Sequence, residues 1–346
     1  MVTLELKNVM KQYPNAKYPA VKNFNLKVEP GEMVAFLGSS GCGKTTTLKM
    51  IAGLESITAG DILIDGKSII NIPPEKREMS MVFQKSLLFP SMTVEDNVAF
   101  GLKMRKVDKE TRRKKANELL ERVKLGGYGK RRPGQLSGGQ EQRISLARGL
   151  AINPKVFLLD EPLSALDAEL RIEMRTLIKT MQQEMKITTI VVTHDQEEAV
   201  MLADKVALMK DGRLLQYDEP EKFYKQPKSR WVAEFFGCPN FIYGHQQGKT
   251  IHTDLGDFYL PQLEKEEDRK VYIPMRAECV DLSNDPDAMK GTVKMRIFMG
   301  VNVRYTVDVK GQNFQIMLDS ATKFREGDVI SFKPQMDRLW AVPVDD

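Results

Sequence analysis

Met33-Val34-Ala35-Phe36-Leu37 runs directly into Gly38-Ser39-Ser40-Gly41-Cys42-Gly43-Lys44-Thr45, and this junction decides the fold. The first five residues are apolar, too few for a helix and right for a buried strand. After the loop, Thr46-Thr47-Leu48-Lys49-Met50-Ile51-Ala52 carries its apolar residues at helical spacing. Strand, glycine-rich turn and helix, in that order, are the context a phosphate-binding loop requires. Glycines let successive backbone N–H groups face a polyphosphate, and the helix start adds the positive end of its dipole. Lys44 supplies a mobile positive charge for the outer phosphates, and the Thr45 hydroxyl is a ligand for Mg²⁺. Cys42 reads as a small spacer in this loop, where alkylation should block the site. The pattern predicts a nucleoside triphosphate site.

At 346 residues the chain has room for about two domains. A net charge of +5 with 29% charged residues describes an ordinary soluble protein, not a dedicated nucleic-acid binder. Cys42, Cys238 and Cys279 are scattered and odd in number, so no disulfide framework is implied and a reducing compartment fits. The opening residues Met1-Val2-Thr3-Leu4-Glu5-Leu6-Lys7 lack the apolar core of a signal peptide. No apolar run approaches the ~18 residues a membrane-spanning helix needs, so work at a membrane would require other subunits to cross it.

Leu4 and Leu6, then Phe24, Leu26 and Val28, alternate with polar residues and predict two antiparallel strands ahead of the loop. Ile62-Leu63-Ile64-Asp65-Gly66 reads as a strand closed by an Asp-Gly turn, and Met79-Ser80-Met81-Val82-Phe83-Gln84 as a short strand ending on a glutamine. From about Val94 to Gly149 the spacing is helical, with a cationic segment from Lys103 to Lys115. Strand-like runs return at 156–160, 188–193 and 205–209, and helical stretches such as 168–185 alternate with them. This order predicts an α/β parallel sheet with covering helices and a helical insertion. The character changes near Gly237-Cys238-Pro239-Asn240. Beyond it, short alternating runs such as 301–309 and 329–332 sit between turn signals such as Gln247-Gly248 and Lys310-Gly311, predicting a small antiparallel barrel or sandwich. The expected domains are 1–235, with the helical part at about 85–150, and 236–346.

Leu158-Leu159-Asp160-Glu161 closes an apolar strand on two carboxylates, and in open α/β sheets ligands lie outside the carboxyl ends of strands. Asp160 is then placed for the Mg²⁺ shell, and Glu161 to orient and polarise an attacking water. His194 follows a strand that should end at the same edge, where its imidazole can reach the γ-phosphate. Leu136-Ser137-Gly138-Gly139-Gln140 precedes a helix expected to begin around Glu141, and a serine with two glycines at a helix start forms a second anion site. One nucleotide needs one phosphate loop. A second makes sense if it closes over the nucleotide of a partner subunit.

With these motifs in this order, the chain resembles the ATP-binding subunits of ABC transporters, over about residues 1–235. The phosphate loop is followed by a Q-loop at Gln84, the signature from Leu136 to Gln140, the carboxylates Asp160 and Glu161, a D-loop Ser164-Ala165-Leu166-Asp167, and a switch histidine in Thr193-His194-Asp195. The resemblance implies a P-loop NTPase fold of RecA type with a helical subdomain, carrying an all-β OB-like C-terminal domain. It implies that Tyr13 stacks on adenine and that Ser39, Gly41, Cys42, Gly43, Lys44, Thr45 and Thr46 hold the phosphates. Thr45, Gln84 and Asp160 would hold Mg²⁺, Glu161 would be the general base, and His194 would contact the γ-phosphate. Ser137, Gly139, Gln140 and Asp167 would complete the other protomer's site, so that two chains sandwich two ATP. Glu141 stands where many relatives carry a glutamine or a basic residue.

The stretches Leu88 to Leu102 and Thr193 to Ala199 look like importer ATPases for sugars, polyamines and ferric or other anion complexes, which also carry an added C-terminal barrel. The junction Gly237-Cys238-Pro239-Asn240-Phe241-Ile242 leans toward the polyamine, iron and anion branch, and the later Arg276-Ala277-Glu278 departs from the Arg-Pro-Glu that sugar-importer relatives tend to carry. The implied protein sits peripherally on the cytoplasmic face of the cell membrane, with two permease subunits and, through them, an extracytoplasmic solute-binding protein. The alternative is a soluble ABC ATPase of DNA repair or translation. Against it, the C-terminal segment has no interleaved basic and aromatic stripe for nucleic acid. A protein that only binds ATP is the other option, and the joint presence of Glu161 and His194 argues for turnover.

Overall fold

The computed structural model describes residues 1–164, 166–263 and 267–344; Ala165 of the predicted D-loop lies outside them. Strands β1 (Leu4–Lys11) and β2 (Val21–Val28) pair antiparallel with Leu6 opposite Leu26. Strand β3 (Met33–Leu37) passes through the glycine loop into helix α1 (Lys44–Ala52). Strands β4 (Ala59–Ile64) and β5 (Lys67–Ser68) are joined at Asp65 and Gly66, both at positive φ, as an Asp-Gly hairpin turn requires. After β6 (Met79–Val82) come three helices, α2 (Val94–Met104), α3 (Lys109–Arg122) and α4 (Gly138–Ala151). Strand β7 (Val156–Asp160), helix α5 (Ala168–Met185), strand β8 (Thr188–Thr193), helix α6 (Gln196–Leu202) and the hairpin β9 (Lys205–Lys210) with β10 (Arg213–Asp218) follow.

These strands make two sheets, β2-β1-β4-β5 and β10-β9-β3-β8-β7-β6. In the second, β9, β3, β8, β7 and β6 run parallel, and β10 closes one edge antiparallel. Every residue of β3, β7 and β8 is buried, which explains their unbroken apolar runs: both faces of the sheet are covered. One core joins the two sheets to α1, with Phe24 edge-on to Phe36 at 5.8 Å between ring centroids. Leu146 and Leu150 of α4 meet Ile178 and Met181 of α5 around Phe157 of β7.

Helix α4 starts three residues earlier than expected, at Gly138 and not near Glu141. The cause is a capping box: Ser137 Oγ accepts from the Gln140 amide at 3.3 Å, and Gln140 Oε1 accepts from the Ser137 amide at 3.1 Å. The glycines that read as loop are therefore the first turn of the helix.

The chain divides into compact units Met1–Pro220 and Glu221–Asp346, a division that falls ahead of residue 235. Helices α7 (Pro220–Lys225) and α8 (Arg230–Phe235) precede strands β11 (Asn240–Gly248), β12 (Thr250–Thr253), β13 (Gly256–Tyr259) and β14 (Glu267–Met275). Then come β15 (Val280–Leu282), β16 (Met289–Phe298), β17 (Asn302–Val309), β18 (Gln312–Asp319), β19 (Val329–Pro334) and β20 (Val342–Pro343). They form two five-stranded antiparallel sheets, β13-β12-β11-β14-β20 and β15-β19-β16-β17-β18, around a common core that includes Ile273, Tyr305 and Phe332. Arg276, singled out in the sequence, donates to the carbonyls of Tyr224 at 3.3 Å and Phe236 at 2.5 Å, tying the end of β14 to the ends of α7 and α8. Among the described residues no helix is long and apolar enough to cross a membrane.

The orientation of α1 rests on one buried cation. Arg77 donates to the Met50 and Ile51 carbonyls at 2.9 and 2.8 Å and to the Ile72 carbonyl at 2.8 Å, closing the open carbonyl end of the helix. Replacing it takes this donor from the Ile51 and Ile72 carbonyls, while Met50 keeps the Gly53 amide at 3.1 Å. Arg77→Ala should lower the unfolding free energy by about 2–4 kcal/mol. Urea unfolding followed by far-UV circular dichroism measures this, since both tryptophans, Trp231 and Trp340, lie in the second unit.

Candidate active site

The loop between β3 and α1 has a shape that only glycine permits at two of its positions. A Cβ on Gly43, at φ +102°, would lie 2.5 Å from the Ala20 carbonyl oxygen, and one on Gly38 2.3 Å from that of Met209. Helices α2 to α6 each begin with a side-chain cap, from Thr93, Asp108, Ser137, Asp167 and Asp195. Helix α1 begins at Gly43 with no side-chain cap. Its first amides are left for another acceptor, which is the electrostatic requirement of a phosphate cradle.

The sheet brings the other predicted groups to this loop. A cavity of about 410 Å³ is lined by Ala20, Ser40, Gly41, Gly43, Lys44, Thr45, Thr46, Glu161 and His194. It lies at the carboxyl ends of β3, β7 and β8, the edge predicted from the parallel topology. Lys44 is buried and its ammonium donates to the Gly38 and Ser39 carbonyls at 2.8 and 2.9 Å. Cys42 is buried beside it, Sγ 3.8 Å from Nζ, and burial pushes the thiol up from its usual range. Ser39 thus enters through its carbonyl, while Ser40, which the sequence reading passed over, lines the cavity.

Thr45 Oγ1 donates to Asp160 Oδ1 at 2.9 Å. Burial raises the Asp160 carboxyl above its usual range, opposed by that hydrogen bond and reinforced by the neighbouring Glu161 charge. A hydroxyl and one carboxylate beside a phosphate cradle match the hard-oxygen set that Mg²⁺ takes when phosphates and water supply its other ligands. Among the described residues no group of three or more His, Cys, Asp or Glu gathers to cage a metal by protein alone.

Glu161 sits at φ +46°, a left-handed conformation uncommon outside glycine. Its amide donates to the Val192 carbonyl at 3.0 Å, and its own carbonyl accepts from Ser164 Oγ at 3.1 Å, so both flanking peptides are held. The carboxylate meets His194 Nδ1 at 3.3 Å through Oε1 and accepts from Gln84 Nε2 at 3.1 Å through Oε2. Gln84 also donates to Ser164 Oγ at 3.2 Å. Its amide is therefore directed at the carboxylate cluster, not at the Thr45–Asp160 pair. Ser164 is a site residue that the sequence reading had only as part of a motif.

Ser39, Cys42, Asp160 and Gln84 are outside the lining itself but bonded to residues that form it, Ser39 and Cys42 to Lys44, Asp160 to Thr45 and Gln84 to Glu161. Ser137, Gly139, Gln140 and Asp167 are outside it too, at the starts of α4 and α5, where Ser137 and Asp167 act as caps. Gly139 packs so closely on Leu170 that a Cβ would lie 2.1 Å from Cδ2. Tyr13 is also outside the lining, with Lys11 Nζ 5.0 Å from its ring centroid.

Comparison with known proteins fits this geometry. Residues 21–164 match the family model for ABC transporter, and residues 274–342 match that of the TOBE domain. The chain is 40% identical to the Fe(3+) ions import ATP-binding protein FbpC of Fusobacterium nucleatum subsp. nucleatum, over 92% of this chain and 87% of that protein. It is 41% identical to the spermidine/putrescine import ATP-binding protein PotA of Chromobacterium violaceum, over 97% and 98%. Among solved structures it is similar to the dimeric ATP-binding cassette MJ0796 in a post-hydrolysis state bound to ADP and Pi. That match has 34% identity and a TM-score of 0.57, covering 63% of this chain and 98% of that one. The chain belongs to the ABC transporter ATP-binding family, as an ATPase with a C-terminal TOBE domain.

Proposed function

We propose that this chain is the ATP-hydrolysing subunit of an importer and that it works as a pair on the cytoplasmic face of a membrane, beneath separate permease subunits. The observation that carries the reading is the convergence of Lys44, Thr45, Glu161 and His194 on one cavity at the open start of α1. ATP enters with its β- and γ-phosphates against the free amides of the loop and of α1. Lys44 exchanges the Gly38 and Ser39 carbonyls for phosphate oxygens, and Ser39, Gly41, Cys42, Gly43 and Thr46 supply the surrounding cradle. Tyr13 would stack on the adenine.

Thr45 and Asp160 would hold Mg²⁺, joined by Gln84 once its side chain leaves Glu161, and the ion would supply charge neutralisation to the phosphates. Glu161 accepts a proton from the attacking water as the water oxygen bonds to the γ-phosphorus and the bond to the ADP oxygen breaks. His194, already against Glu161, contacts the γ-phosphate and orients it. Ser137, Gly139, Gln140 and Asp167 of a second copy close the cavity from outside; the dimeric cassette with 34% identity supports this pairing. Residues 1–235 would carry this cycle, with about 85–150 meeting the permeases, and 236–346 the added barrel. The cargo classes are a polyamine, an iron or other anion complex, or a sugar, and the iron and spermidine/putrescine relatives support the first two. Through the permeases the chain would serve an extracytoplasmic solute-binding protein.

Removing the base should separate binding from turnover. In steady-state ATPase assays Glu161→Gln should lower kcat about 100- to 10,000-fold. Its ATP affinity should stay close to wild type. Lys44→Ala should instead weaken ATP binding itself by about 10- to 100-fold, measured by nucleotide titration. Equal loss of affinity in both variants would remove Glu161 from the base role.

Affinity purification of the full chain from native membranes, wild type beside Glu161→Gln, tests the importer reading. Two membrane-spanning partners together with an extracytoplasmic binding protein are expected, and that protein's ligand names the cargo. Recovery of soluble or nucleic-acid partners alone, under conditions that keep membrane complexes intact, would replace the importer with a soluble ABC ATPase.

A further inference from the structure

We propose that Glu198 is a positioning residue for His194, gripping the turn between β8 and α6 through the Thr193 hydroxyl and so setting the imidazole against Glu161. The residues on both sides of His194 belong to one closed ring of hydrogen bonds. Thr193 Oγ1 donates to Glu198 Oε2 at 2.9 Å and accepts from the Asp195 amide at 3.0 Å. Asp195 Oδ1 in turn accepts from the Glu198 amide at 3.0 Å. His194 is the one residue between Thr193 and Asp195, and its own side chain is 59% exposed. Its imidazole meets Glu161 at 3.3 Å, and the backbone on either side sets the point from which the ring reaches that carboxylate.

Glu198 is only 3% exposed, and its second oxygen, Oε1, is buried without a hydrogen-bond partner among the described residues. A buried carboxyl with a bare oxygen is costly, and a residue placed only for packing would be cheaper as an apolar one. What Glu198 contributes is the one acceptor that orients the Thr193 hydroxyl. Burial and the nearby Asp195 charge push its carboxyl up to about 7, against the pull of the Thr193 hydrogen bond and of Arg175 and Arg171. Its hold on Thr193 is thus one of hydrogen-bond geometry more than of charge. Glutamine, which keeps an oxygen at the same reach, should replace it. Arg171 Nη1, 3.5 Å from Asp195 Oδ2, anchors the ring from α5. The catalytic turn is tied to a helix that does not line the cavity.

The inference rests on the ATPase reading above, which hydrolysis by the wild-type chain and its loss in Glu161→Gln test without reference to Glu198. The full-length chain is assayed as wild type, Glu198→Ala, Glu198→Gln and Thr193→Val, with thermal melts recorded for each. Glu198→Ala and Thr193→Val should each lower kcat about 10- to 100-fold, as a displaced catalytic group does, with KM for ATP within about twofold of wild type. The double variant should be no worse than either single one, because both act through the same bond. Glu198→Gln should recover most of the lost kcat. The proposal is overturned if Glu198→Ala hydrolyses ATP as wild type does, or if Glu198→Gln is as impaired as Glu198→Ala. It is equally overturned if kcat falls only together with ATP affinity and melting temperature, since that is the signature of a merely structural carboxyl.

Discussion

Everything in the first unit depends on a helix whose start is left electrically unsatisfied. Five other helices spend a hydroxyl or carboxylate on their first amides, whereas α1 begins on Gly43 and leaves its own open. Such a helix end keeps its amides for water or for an arriving anion. At the other end Arg77 satisfies the Met50 and Ile51 carbonyls from within, so the helix is closed where it is buried and open where the ligand comes. The parallel sheet then makes the open end useful. Buried strands cannot carry charge along their length, so Asp160, Glu161 and His194 can appear only where β7 and β8 emerge, which is the same edge.

The polar groups at that edge answer one another. Lys44 is held by two loop carbonyls, Thr45 by Asp160, and Glu161 by Gln84 and His194. Lys44 and Thr45 donate to protein acceptors that phosphate oxygens can replace, so part of substrate binding is an exchange of hydrogen bonds. The raised carboxyl of Asp160 follows from the same arrangement: burial without a full positive partner disfavours its charged form. The left-handed Glu161 is held on both sides, by Val192 and by Ser164, which keeps an uncommon backbone angle where the carboxylate is needed.

Most of this was legible because it is written in local patterns. The phosphate loop, the apolar strands ending in Asp160 and Thr193, and helix α5 from Ala168 to Met185 lie where the spacing puts them. What could not be read is what depends on side chains meeting across the fold. Helix α4 begins at Gly138 because Ser137 and Gln140 bond each other, and two glycines in sequence read as loop. Ala20 lines the cavity although nothing in its chemistry marks it; it is there because the turn before β2 passes against Gly43. Glu198 reads as one more polar residue on a short acidic helix, and only its burial and its bond to Thr193 set it apart. Tyr13, whose role came from resemblance alone, lies outside the cavity.

The residues that resemblance assigns to a second copy behave differently from the rest. Ser137 and Asp167 are satisfied within their own helices, Ser137 by the Gln140 amide and Asp167 by that of Leu170, and neither needs a ligand to hold its shape. Gly139 lies against Leu170, which brings the starts of α4 and α5 together. A surface prepared in this way can meet a nucleotide without rearranging, whereas Lys44 and Glu161 must break existing bonds to do so. If a second copy closes over the cavity as proposed, the adjustable half of the site belongs to the chain that binds ATP and the self-capped half to its partner. Closure by a preformed surface adds little ordering cost, which leaves the cost of assembling the site to the exchange of bonds around the phosphates.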